Sequence, residues 1–174
     1  MAERTAFSDL ASGLRLWPDD LPAACRAVAA SVVGVTAFIL ILDAIVFRRV
    51  LPADYVTTYT SPLLPRTLLA CFGAGVEEVI FRLVGMTAIV VALCFWRRPV
   101  PAAGFVAAIL LSQLANVLPI VLAYPLWGTL RFWAVGSLWG FLYWRHGWAA
   151  ALVAHGTIHL LLDPLLLWAL TRTG

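Results

Sequence analysis

One stretch constrains this chain more than any other. Glu77-Glu78-Val79-Ile80-Phe81-Arg82 lies in the middle of an apolar run from Leu63 to Trp96. Each charge at the centre of a membrane helix costs about 2.5–3.5 kcal/mol on insertion scales. Such charges face other helices or a wet cavity, so the stretch predicts both a helical bundle and a functional site. On a helix Glu78 and Arg82 stand four residues apart and can pair along one face. Glu77 is turned about 100° from Glu78, so the two carboxylates need not share a role. One division is that Glu78 holds Arg82 while Glu77 points into a cavity. The competing reading is a purely structural ion pair between helices. The second, adjacent carboxylate weighs against it, because it lacks an obvious partner.

Composition fits the membrane setting. The 174 residues are 63% apolar and 12% charged, far from a soluble domain's usual balance. Long apolar runs predict an all-α, polytopic transmembrane bundle, a single integral membrane domain over residues 1–174. Every basic side chain except the histidines is an arginine, and the net charge of +3 comes from arginines scattered near helix ends. No basic patch points to nucleic acid. Cys25, Cys71 and Cys94 lie singly and read as buried small hydrophobes rather than ligands or disulfide partners. The start of the chain carries mixed charge without a compact apolar region, so the first span is expected to serve as the targeting signal.

In chain order, residues 1–22 form a polar lead-in ending at Pro22. About five spans are expected. The first covers residues 24–47 and stops at Arg48-Arg49, with Asp43 read as interfacial. Pro52, Tyr55, Tyr59, Pro62 and Pro65 mark a loop with interfacial aromatics. The second span, 63–96, would be roughly 50 Å long against a hydrocarbon core of about 30 Å. It must tilt, kink or break, and Gly73, Gly75 and Gly85 offer bending points before Arg97-Arg98-Pro99 ends it. The third, 100–124, carries Ser112, Gln113 and Asn116, with a bend expected at Pro119. The fourth, 129–145, has Gly136 and Gly140 spaced for close helix packing. The fifth, 148–170, presents His155, His159 and Asp163 at intervals of four. Arginine counts on the two sides do not set an orientation.

Glu77, Asn116, His155 and His159 can converge from three helices. That supplies a carboxylate base, imidazoles and amide donors for an oxyanion, a set suited to adding water to a carbonyl. A metal route competes: His155, His159 and either Asp163 or Glu77 are possible zinc ligands.

These residues resemble the CPBP family of intramembrane proteases, also called the CAAX protease and bacteriocin-processing or ABI family. Glu77-Glu78-Val79-Ile80-Phe81-Arg82 fits its EExxFR motif. The stretch from Gly136 to Trp148, running on to His155, is similar to its glycine-rich helix, Tyr-x-Arg-x-Gly link and final histidine-bearing helix. The likeness spans residues 66–165. Two places differ. Ser112-Gln113-Leu114-Ala115-Asn116 stands where the family has FxxxH, and His155-Gly156-Thr157-Ile158-His159 where it has HxxxN. Asn and His are exchanged, and Leu83 stands where Gly is frequent. The resemblance implies a glutamic endopeptidase of a bacterial-type inner membrane, without a metal cofactor. Glu77 would activate water; His155, with His159 or Asn116, would partner it and hold the oxyanion; Glu78 and Arg82 would support. Residues 116 and 159 are then expected to line one cavity beside Glu77. The substrate would be a protein segment embedded in or anchored to the bilayer: a sorting signal, a leader or a CAAX-like tail. A non-catalytic binding or immunity protein on the same fold is the alternative. A transporter is the third reading, against which the absence of an inverted repeat counts.

Overall fold

A computed structural model describes residues 13–96 and 99–172. Residues 1–12 of the expected lead-in, and Arg97-Arg98 at the end of the second span, lie outside the described residues. The described residues are helical with short connections and contain no strand. Helix α1 runs Leu21–Val46, α2 Ala53–Thr60, α3 Leu63–Trp96 and α4 Ala102–Ala123. Helix α5 covers 125–146 as three consecutive segments, and α6 is Trp148–Thr171. Four of these, α1, α3, α4 and α6, are long and apolar enough to cross a membrane. The bundle is therefore all-α, as expected, and is that of a membrane protein. The fourth expected span, 129–145, is helical as part of α5 but is not among the four. Arg131 and Arg145 interrupt its apolar character.

Local chemistry sets the helix ends. Asp20 caps α1 by accepting from the Ala23 amide at 2.9 Å, and Pro22 sits in the first turn, where no amide is needed. Gly147 separates α5 from α6 at φ +92°, a conformation that favours glycine. The chain before α1 caps α6 in turn. The Trp148 amide donates to Arg15 O and the Ala149 amide to Leu16 O, both at 2.9 Å.

Helix α3 resolves its excess length without breaking. It stays helical throughout, and Glu78–Met86 is wound as a π-helix rather than bent at its glycines. Two other π segments occur, Leu42–Val46 in α1 and Thr129–Ala134 in α5. Each of the three carries a buried charge: Asp43, the Glu78–Arg82 pair, and Arg131. Wider winding re-aims the following side chains, a feature frequent at functional sites. The loop expected between Pro52 and Pro65 instead folds as α2.

Helix α6 is central and packs against α1, α2, α3 and α5. Its Ala150, Ala151 and Ala154 are buried, and such small residues let neighbouring backbones approach. Met86, Val90, Ala108, Trp139, Leu162 and Leu166 fill the core around it. Of the cysteines only Cys94 is buried; Cys25 is exposed and Cys71 partly so, which corrects the expectation for those two. Cys25 lines an open groove between α1 and the start of α6.

The expected glycine pair joins α4 to α5. A Cβ on Gly140 would stand 2.9 Å from Ile109 Cγ2, and one on Gly136 only 2.0 Å from Gln113 Nε2. Gly136→Ala should therefore destabilise the fold by about 1–3 kcal/mol, the usual range for overpacking. Gly73→Ala, where nothing lies within 4 Å, should be neutral or slightly stabilising. Thermal unfolding in detergent separates the two outcomes.

Candidate active site

The motif's two carboxylates diverge. Glu78 is fully buried and Arg82 is 1% exposed. Glu78 Oε1 lies 3.5 Å from Arg82 Nε and accepts from His155 Nδ1 at 2.9 Å. Trp148 Nε1 donates to the Glu78 carbonyl at 3.1 Å. Arg82 Nη2 donates to Gln113 Oε1 and, at 2.8 Å, to Gly136 O. Gln113 Nε2 continues to Phe132 O at 3.0 Å. One ion pair thereby links α3, α4, α5 and α6. The close approach at Gly136 has its reason here, since any side chain would displace the amide that holds Arg82.

Glu77 turns the other way. Its Oε2 accepts from Asn116 Nδ2 at 2.9 Å. Four carboxylates lie within the four spanning helices: Asp43, Glu77, Glu78 and Asp163. Three are paired with arginine, as Asp43–Arg131, Glu78–Arg82 and Asp163–Arg66. Glu77 is held by a neutral amide instead. A carboxylate so held keeps its second oxygen for another task.

Glu77 and Asn116 open on a cavity of about 260 Å³, lined also by His155, Trp139, Arg82 and Arg131. The Trp139 ring stacks on His155 with centroids 5.5 Å apart and fixes the imidazole plane. A carboxylate accepts at Nδ1, so Nδ1 carries the proton and Nε2 is the nitrogen left for chemistry. A larger groove of about 540 Å³ runs between α1 and the start of α6, but no charged side chain lines it. The smaller cavity is the one with reactive groups.

The geometry brings together Glu77, Asn116 and His155, with Glu78 and Arg82 behind them. It does not bring His159 to Glu77. His159 Nδ1 lies 3.3 Å from Asp163 Oδ1, and His159 is not among the residues lining the cavity. Asp163, one turn on, is itself fixed by Thr67 Oγ1 at 2.9 Å and by Arg66, which makes it the nearer partner. The two histidine rings are 5.9 Å apart between centroids. The expected exchange between residues 116 and 159 thus finds only Asn116 beside the glutamate. His155 is bonded to Glu78 rather than Glu77.

Of the expected zinc ligands, Glu77 is bonded to Asn116, His155 to Glu78, and His159 and Asp163 to each other; among the described residues no three His, Cys, Asp or Glu side chains form a group able to hold a metal.

Sequence reasoning missed a second buried cluster. Asp43, expected at the interface, is fully buried. It accepts from Arg131 Nε at 3.0 Å, from Trp127 Nε1 at 2.9 Å and from the Tyr55 hydroxyl. Tyr55 and Tyr59, expected as interfacial loop residues, turn inward from α2. Burial pushes both phenols above their ordinary range, against the nearby Arg131 charge, so they stay protonated donors. The rule that flagged Glu77 applies equally to Asp43 and Arg131, each a lone charge in an apolar run.

No protein-family model, curated protein or solved structure matches the chain.

The two glutamates should separate on mutation. Glu78→Gln strands the Arg82 charge in the core and should cost about 3–5 kcal/mol. Glu77→Gln keeps an acceptor for Asn116 Nδ2 and should change stability by less than about 1 kcal/mol. Chemical denaturation in mixed micelles, with folded yield as a second readout, tests the difference.

Proposed function

We propose that this protein is an intramembrane endopeptidase that hydrolyses a peptide bond in a membrane-associated protein segment, working in a bacterial-type inner membrane. The observation that carries the reading is Glu77. It is the intramembrane carboxylate held by an amide rather than an arginine, and it opens on a cavity shared with His155. The likeness of the Glu77–Arg82 stretch to the CPBP motif supports the same reading.

In this mechanism Asn116 Nδ2 fixes one oxygen of Glu77, and the other takes a proton from water. The water oxygen adds to the peptide carbonyl carbon. Trp139 and Glu78 hold His155 in place, so its Nε2 accepts a hydrogen bond from the attacking water and orients it. Collapse of the tetrahedral adduct breaks the C–N bond, and Glu77 returns its proton to the leaving amine. Nothing in these steps requires a metal. The bilayer setting restricts substrates to sorting, leader or CAAX-like segments that already lie in the membrane.

A second reading has one specific observation in its favour. His159 is engaged by Asp163 outside the cavity, which fits a non-catalytic peptide-binding protein on the same fold. Cleavage decides between them. Purified protein in liposomes should cut membrane-anchored fluorogenic reporters. Glu77→Gln should lower the rate by at least about 10²-fold, the lower range for loss of a general base. Chelators should leave the rate unchanged. Full activity in Glu77→Gln would refute the glutamate mechanism, and chelator-sensitive activity with stoichiometric zinc would replace it with the metal route.

A further inference from the structure

Arg131 enters the same cavity from α5, and its surroundings hold it in one pose. Nε donates to Asp43 Oδ2 at 3.0 Å, and Nη2 faces the Tyr55 and Tyr59 hydroxyls, each at 3.4 Å. The guanidinium lies over the Phe132 ring, 4.9 Å from its centroid. That leaves Nη1. Among the described residues Nη1 makes no hydrogen bond, while Arg131 lines the cavity and is only 6% exposed. Arg82, the other guanidinium there, is committed to Glu78, Gln113 and Gly136 through Nε and Nη2, and its Nη1, unbonded among the described residues, is sealed in the protein rather than open to the cavity. A buried, clamped guanidinium with a free N–H edge at a cavity wall is a ready donor to an anion, and its planar geometry suits a carboxylate.

We infer that Arg131 binds a carboxylate of the peptide, so that the cavity selects segments carrying an acidic group close to the scissile bond. The word substrate here rests on the endopeptidase reading; the binding step does not. Two features set the register. A cavity of 260 Å³ spans roughly 8 Å if compact, about two extended residues. Glu77 repels a second carboxylate in a low-dielectric site, so the acid sits at the Arg131 end and the carbonyl at the Glu77 end. The acid is either the peptide's own C-terminus or an Asp or Glu side chain, since both present the same group.

The test uses binding, with Glu77→Gln protein in detergent so that nothing is cleaved. Intrinsic tryptophan fluorescence reports occupancy, because Trp139 lines the cavity. The probes are acetyl-Ala-Leu-Leu as free acid and as amide, and the amides of acetyl-Ala-Leu-Glu and acetyl-Ala-Leu-Gln. At least one acid should bind about tenfold or more tightly than its uncharged counterpart, and which acid does so identifies the source. The double variant Asp43→Asn with Arg131→Gln removes both buried charges together and should erase the preference. Equal binding of acid and amide overturns the inference, whether or not the double variant folds. A preference that survives in the double variant overturns it too. Saturation by phosphatidylglycerol micelles but not phosphatidylcholine micelles, with no peptide preference, assigns Arg131 to lipid headgroups instead. The same peptides placed in membrane reporters separate the two claims. Glu77-dependent cleavage indifferent to the acid defeats this inference alone; acid-selective binding without any Glu77-dependent cleavage defeats the endopeptidase alone.

Discussion

The structure depends on one buried charge pair. Glu78 and Arg82 face each other near the middle of α3, and neither touches solvent to a useful degree. Taking two ions out of water costs several kcal/mol each unless every remaining donor and acceptor finds company. Most of that company comes from three other helices, through His155 of α6, Gln113 of α4 and the Gly136 carbonyl of α5, while among the described residues Glu78 Oε2 and Arg82 Nη1 stay buried without a hydrogen bond. The pair therefore acts as a register pin. Lipid tails and leucine side chains are equally apolar, so burial alone does not tell membrane helices which neighbour to choose. Polar contacts and small-residue faces do, and here both meet at Gly136.

Two further pairs extend the same logic along the bundle. Asp43 with Arg131 joins α1 to α5, and Asp163 with Arg66 joins α6 to α3. Both also position α2. Arg131 contacts its tyrosine hydroxyls, while Arg66 Nη1 donates to the carbonyls of Tyr59 and Ser61 near its C-terminal end, at 2.6 and 2.9 Å. Each pair is neutral overall. Glu77 stands apart from this arrangement, bonded to the Asn116 amide instead of an arginine. A charge matched by an arginine is spent on architecture, whereas the Glu77 carboxylate faces the cavity.

The π-helical segments connect architecture to chemistry. In α3 the π stretch begins at Glu78, directly after Glu77. Helical rotation of about 100° per residue sends the two sequential carboxylates to different neighbours, Glu78 toward α6 and Glu77 toward Asn116 on α4. In α1 and α5 the π stretches carry the two members of a single ion pair.

The amino-acid sequence determined that the chain is a helical membrane protein, because runs of apolar residues this long leave no other way to satisfy the backbone. It also determined that Glu77, Glu78 and Arg82 lie inside the bundle, since charges amid such a run must avoid lipid. The division between Glu78 as anchor and Glu77 as cavity group, and the close packing at Gly136 and Gly140, were legible from spacing. Tertiary structure decided the partners. His159 turned to Asp163 because a carboxylate one turn away, already fixed by Thr67 and Arg66, was nearer than Glu77 on another helix. Asp43 and Arg131 are 88 residues apart, and no local pattern pairs them. Spacing along one helix fixes which side chains share a face. Which helix that face meets is set by how charges from distant segments find each other during packing, and only the assembled bundle records it.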